Sequence, residues 1–469
     1  MLSRRIRILA AALSAALLLL SVTRSVGQAQ KTSNDTSPII HFDSTVVALK
    51  DVRVIDGTGA PPKEHQTLLI EAGRIRAVGD AADVMIPSGA QILNLAGRAV
   101  LPGLVMLHEH FQYRAADDLT HAQPFTAPRL FLAFGVTTVR TAGTDHPYVD
   151  LNLKREIDAG RVPGPEMFVT SPFLNGDAGH FGDGNRFLGD KVVRDPEDAR
   201  RAVRYWAAEG VTSFKVYRRI SKEALATIIE EAHHLGLPVT AHLGSVSCRE
   251  AVELGIDNIE HGFFECIQGT ADGLETDPNG ARVQALIRLL LEKRIVLTFT
   301  PVDFSRPLSD RELDLLHPAA RESYLRAQLT QRSAKAPPVG PNLSRLRLEA
   351  QLTLAFARAG GRLVLGSDPG GNGRIPGFTD HESLKLAVKV GFTSLEAIRI
   401  ATLNGATFLG IQDRTGSIAV GKEADLLVVR GDPSVRIEDI ENVEKVFANG
   451  RAYNPNDLIS TVKGLVGWQ

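Results

Sequence analysis

The sequence predicts an α/β protein, a (β/α)8 TIM barrel with a small β-sandwich domain assembled from both chain ends. Three observations predict it. Across residues 101–409, eight apolar strand candidates alternate with stretches of helical spacing, the pattern of right-handed βαβ units around a parallel sheet. Short β-rich pieces broken by glycine and charged turns fill residues 46–100, and the same texture returns over 410–456. No glycine-rich phosphate loop follows the first strand, which argues against an open doubly wound sheet.

The 469 residues suffice for one large domain and a smaller one. A formal net charge of -1 supplies no basic field for nucleic acid or an anionic membrane surface. A small-molecule substrate is the expected partner, and a homo-oligomeric assembly is left open.

Residues 1–29 have the layout of a secretory signal peptide: three arginines, an apolar core from Ile8 to Val22, and a small residue, Ala29, at the expected cleavage site. "SRRIRIL" also fits a twin-arginine signal loosely. The apolar core is short for a membrane span of about 20 residues. The expectation is therefore a periplasmic or secreted protein with no membrane attachment after cleavage. Residues 30–45 read as a polar tether. In the β-rich part, "EAGRI" between apolar runs signals a hairpin.

The barrel candidates are "GLVMLHEH", "GVTTVRTAG", "PEMFVTSPFL", "GVTSFKVY", "LPVTAHL", "DNIEHGFF", "RIVLTFTP" and "GRLVLGSDPG". Between them, "DPEDARRAVRYWAAEG" and "SKEALATIIEEAHHLG" start at Asp or Ser and end at Gly, as helices do. Residues 305–341, rich in Arg, Leu and Pro, read as an insertion after the seventh strand.

Chemistry-bearing residues fall at the strand ends: His108 and His110, Lys215, His242, His261 and Asp368. In a strand, His108 and His110 share one side, about 7 Å apart along the backbone. That arrangement suits a shared metal or a pair of core histidines. Lys215, His242 and His261 are spaced by about one βα unit each, so neighbouring strands carry them. In a barrel, these ends form the catalytic mouth. Glu109 points away from both histidines, toward a buried Arg or Lys partner. Cys248 and Cys266 lie at similar offsets after neighbouring strands, where an exported protein can join them.

This set resembles the amidohydrolase superfamily. "LPGLVMLHEHF" resembles its first-strand motif, "NIEHGF" its sixth, "VLGSDPGG" its eighth, and "TSLEAIRIATLNGATFLGI…GSIAVGKEADLLVV" its return into the β domain. The resemblance implies a binuclear centre, with His108, His110 and Asp368 on one ion and His242 and His261 on the other. Lys215 would bridge them as a carbamate formed with CO2, because a free ammonium has no lone pair to give. Zinc is the default ion, with manganese, cobalt or iron as alternatives. Asp368 would act as general base and then acid. Deaminases and imidazolone hydrolases of the superfamily carry a glutamate shortly after the fifth-strand histidine, whereas Leu243, Gly244 and Ser245 stand here.

"LNGDAGHFGDG" resembles the third-strand loop of prolidase-like members, where a histidine, here His180, helps bind the substrate carboxylate. Gly244 replaces the tyrosine that such members place after the fifth-strand histidine, with Tyr217 or Arg218 as candidate substitutes. Dipeptides or N-acyl amino acids are thus the expected substrates. A cyclic amide such as a hydantoin is the alternative, and a non-catalytic binding protein on the same scaffold is a remote one.

Overall fold

The structure, a computed structural model, describes residues 39–468 apart from 41, 43, 115–119, 178–190, 264–265, 267–276, 304–305, 334–342 and 372. The expected signal peptide, most of the tether, and His180 lie outside the described residues.

Eight parallel strands occupy the positions read from the sequence: Leu104–Glu109, Val136–Thr141, Glu166–Phe168 with Thr170–Asn175, Ser213–Val216, Val239–Ala241, Asn258–Ile259, Val296–Phe299 and Arg362–Leu365. They form two parallel sheets that meet at the third strand. Its first half pairs with the second strand and its second half with the fourth. The pairings Lys215 with Thr240, Thr240 with Asn258, and Ile259 with Leu297 keep the strand ends level. Past the eighth strand, the Asp368 amide donates to the His108 carbonyl at 2.9 Å. A Cβ on Gly366 would lie 2.3 Å from that of His108, so only glycine permits the approach.

The helices begin and end as their sequences specify. Asp195 accepts from the Asp198 amide at the start of Pro196–Glu209, and Gly210, left-handed at φ 99°, ends it. Ser221 caps Lys222–His234 in the same way. Their apolar faces, including Val203, Trp206, Leu225 and Ile228, enter one large core with the strands' outward residues. Within the segment read as an insertion lie the helices Asp310–Leu313 and Pro318–Ser333, and the helix Leu343–Arg358 follows it.

Nine further strands, drawn from both ends of the chain, form one sheet. The expected sandwich is thus a single hydrogen-bonded network. The reason lies in strand Val46–Val54, which Asp51 interrupts at φ 58°. Its first half pairs with Gln91–Asn94 and its second half with Arg98–Pro102. Leu49, Val52, Leu68, Val100 and Val428, from strands on both sides of this break, share one apolar cluster. Arg98–Pro102 also pairs antiparallel with Leu426–Arg430, which joins the two chain ends. Ile39–Ile40, within the stretch read as a tether, pairs with Tyr453 and Ala452. Two apolar residues beside an open sheet edge find ladder partners there.

Candidate metal centre

Each of the six expected ligands sits at or just beyond the end of a parallel strand. His108 and Lys215 are in their strands, and His110, His242, His261 and Asp368 follow theirs within three residues. His261 and Asp368 have left-handed backbones, φ 58° and 47°. Such conformations are costly for side-chain-bearing residues and cluster where function demands them.

The side chains fall into two adjoining groups. In the first, the His110 Nε2 is 3.2 Å and the His108 Nε2 3.6 Å from Asp368 Oδ1. One donor atom from each of the three lies within 4.8 Å of the others. In the second, the His261 Nε2 and His242 Nδ1 are 3.0 Å apart. The rings of His108 and His261 touch at a centroid distance of 4.6 Å, which joins the groups. Lys215, 1% exposed, shares a cavity of about 250 Å³ with all five.

The surroundings set the tautomers and charges. The His108 Nδ1 faces Glu260 Oε2 at 2.7 Å and the His110 Nδ1 faces the Gly143 carbonyl at 3.1 Å. Both contacts leave Nε2 turned toward Asp368. Burial pushes His110 below its ordinary value, and burial with the neighbouring His261 pushes His242 well below. Burial and His108 bring His261 down to about 3. These imidazoles are neutral near pH 7, the form that can donate to a cation. Burial opposes the charge on Asp368, but Arg374 and the two histidines outweigh it and hold the carboxyl well below the usual range. Neutral nitrogens, one carboxylate and a buried lysine amine fit divalent cations, so the residues present suit the group that the motifs imply.

Glu260 is a site residue that the sequence reading overlooked. Fully buried, it accepts from Arg140 Nη2 at 2.7 Å, contacts His108 and Thr240, and lies 3.8 Å from Lys215 Nζ. Burial opposes its charge, but Lys215, Arg140 and His108 outweigh it and keep it ionised. The available signal was a charged residue inside each of two apolar strand candidates, Glu in "NIEHG" and Arg in "TTVRTAG".

Other candidates fare differently. Tyr217 lines the cavity, 8% exposed, with its ring 4.8 Å from that of His242. Arg218 is not among the lining residues. The strand has ended at Val216, and the Arg218 carbonyl instead accepts from the Ser245 amide at 2.7 Å. This contact explains Gly244, where a Cβ would lie 2.4 Å from the Arg218 oxygen. Glu109 has Ser367 as its hydrogen-bond partner where an Arg or Lys was expected, taking its amide at 2.9 Å and hydroxyl at 2.8 Å. Burial and the nearby Asp380 raise its carboxyl well above the ordinary value, so it needs no cation. Cys248 and Cys266 are joined in a disulfide between the loops that follow His242 and His261.

A family comparison decides what this arrangement belongs to. The profile of the amidohydrolase family matches residues 99–453. The chain belongs to the amidohydrolase family. It is therefore an enzyme, a hydrolase acting on C–N bonds of small molecules. Among amidohydrolase relatives, an enamidase from Eubacterium barkeri is 23% identical over 376 residues, 79% of this chain and 82% of that protein. An imidazolonepropionase from Deinococcus radiodurans is 25% identical over 411 residues, 78% and 86% of the two chains. The fold is shared with a Xaa-Pro dipeptidase solved with methionine in its active site (TM-score 0.64, 21% identity, covering 87% of this chain and 100% of that one).

Proposed function

We propose that this amidohydrolase is an exported binuclear enzyme that hydrolyses dipeptides or N-acyl amino acids at the mouth of a (β/α)8 barrel. The observation that carries the reading is the convergence of two donor groups, His108–His110–Asp368 and His242–His261, on one cavity with Lys215. Barrel closure is supported by the Asp368–His108 backbone bond and the glycine contact beneath it. Export is supported by the Cys248–Cys266 disulfide, which suits an oxidising compartment.

His108, His110 and Asp368 would hold one divalent ion, and His242 and His261 the other, with zinc as the default. Lys215, once its ammonium has given up one proton, would add CO2 at Nζ and lose a second, becoming an anionic carbamate. When bound, the ions would supply an acidified water and a polarised substrate carbonyl. Asp368 would accept the proton of the attacking water and return it to the leaving nitrogen. Tyr217 lies beside His242, where it can donate to the substrate carbonyl. His180, in a loop outside the described residues, is the candidate for the substrate's carboxylate.

A second reading, hydrolysis of a cyclic amide, is favoured by the similarity to an imidazolonepropionase over most of both chains. The absence of a glutamate after His242 weighs against it, since Leu243, Gly244 and Ser245 stand there.

The test is metal content by elemental analysis of the mature protein and its Lys215→Ala variant, alongside amine release from a panel of dipeptides, N-acyl amino acids and hydantoins. About two ions per chain, falling with Lys215→Ala, together with turnover of the linear amides, is expected. One ion per chain regardless of Lys215 would overturn the binuclear centre. Turnover of the hydantoins alone would establish the second reading.

A further inference from the structure

After the eighth strand, Gly370 and Gly371 pair with Arg374. The Arg374 amide donates to the Gly371 carbonyl at 3.0 Å, which brings the Arg374 side chain over Asp368. Its Nη1 donates to Asp368 Oδ2 at 2.8 Å, and the same nitrogen reaches the Asp368 main-chain carbonyl. The other carboxylate oxygen, Oδ1, is the atom that faces His108 and His110. The two oxygens are thus assigned to different partners.

We propose that Arg374 is a positioning residue for Asp368, reserving Oδ2 so that Oδ1 alone is presented to the histidine pair. Asp368 stands at φ 47°, a backbone setting that needs a neighbour to hold it, and Arg374 grips both its side chain and its carbonyl. A guanidinium suits this double task because it is planar and carries several donors, whereas an ammonium is a compact point charge. Arg374 also lines the cavity, but the donor nearest Asp368 is committed to that residue, so its role is to orient the carboxylate.

This inference rests on the metal-centre reading, and its experiment separates the two. Co2+ is added with bicarbonate to the metal-free full-length mature protein, to Arg374→Met and to Arg374→Lys, and the visible ligand-field bands are recorded. Their intensity falls as coordination number rises. Without Arg374, both Asp368 oxygens can turn to one cation, so Arg374→Met should lose at least half the band intensity of the wild type. Arg374→Lys, with charge kept but the fork lost, should fall between the two, and it carries the test if the Met variant does not fold. Superimposable spectra of the variants and the wild type would overturn the role of Arg374 alone. Absence of any bands in the wild type would overturn the metal centre itself, and this inference with it.

Discussion

Arg140 and Glu260 are both essentially inaccessible, and each satisfies the other at 2.7 Å. Two buried charges are tolerated only when paired and hydrogen-bonded, and losing one partner strands the other. Glu260→Gln should therefore destabilise the protein by about 3–5 kcal/mol in urea unfolding. Breaking the exposed Glu322–Arg326 pair should leave the midpoint unchanged within error. Equal effects would mean that water reaches the buried pair. A second group of buried residues gives a pH signature. Asp150 and Asp425 are pushed up to about 7, mainly by burial, and Asp150 Oδ2 has no hydrogen-bond partner among the described residues. Their folded-state values lie above the unfolded value of about 3.9, so the unfolded chain loses these protons first and stability falls as pH rises from about 4 to about 7. The buried histidines oppose this trend, since their lowered values make stability rise over the same range, so the test is a difference: Asp150→Asn should raise the melting midpoint at pH 8 relative to that at pH 5 when compared with the wild type. An unchanged difference between the two midpoints would show that Asp150 carries no such proton. At this scale the strand-end position of the six expected residues was legible, because each falls at or near the end of an apolar run. Glu260 was not, because a carboxylate just past a short strand reads as an ordinary charged residue until Arg140 is found opposite it.

Helix ends were the most legible elements, since Asp195, Ser221 and Gly210 each satisfy local backbone groups without help from the rest of the fold. The hairpin Gln112–Arg114 with Thr120–Ala122 was not legible. Its strands are three residues each and carry no apolar alternation, and Gln112, Arg114 and Thr120 turn toward the cavity. Their placement depends on the long-range bond from the Arg114 amide to the Gly370 carbonyl at 2.9 Å. The stretch after the seventh strand was read from its composition alone, and its helices depend on partners elsewhere, such as Val466 beside Leu315. The disulfide tests the link between elements. Cys248 and Cys266, separated by 18 residues, join the loops that follow the fifth and sixth strands. Closing a loop of this size stabilises by about 3 kcal/mol, chiefly through the unfolded chain. The double variant Cys248→Ser/Cys266→Ser should lose about that much in guanidinium unfolding under non-reducing conditions. An unchanged midpoint would mean that the crosslink adds no constraint.

For the whole molecule, the alternation of strands and helices was visible because each unit is local, and the shared texture of the two ends foretold a composite sheet. What the sequence could not reveal was how that sheet is joined, since Val46–Val54 changes partner on either side of Asp51, which stands at φ 58°. Nor could it show where the chain after residue 456 goes. That segment returns to the neighbourhood of the site. Leu458, Val462 and Val466 are 0%, 0% and 1% exposed and pack with Leu130, Phe134 and Leu316. The Gly467 amide donates to Gln123 Oε1 at 3.2 Å, one residue beyond the hairpin that lines the cavity. Three buried aliphatic side chains contribute roughly 1.5–3 kcal/mol each, a large share of the roughly 5–15 kcal/mol that separates folded from unfolded chains. Leu458→Ala should therefore cost about 2–5 kcal/mol. Removing residues 457–469 should also expose the hairpin to limited proteolysis, with cleavage near residues 112–122 appearing well before general digestion. If the shortened chain keeps its melting midpoint and its resistance there, the tail is an appendage and the hairpin is held by its other contacts, such as those with Gly370 and His146.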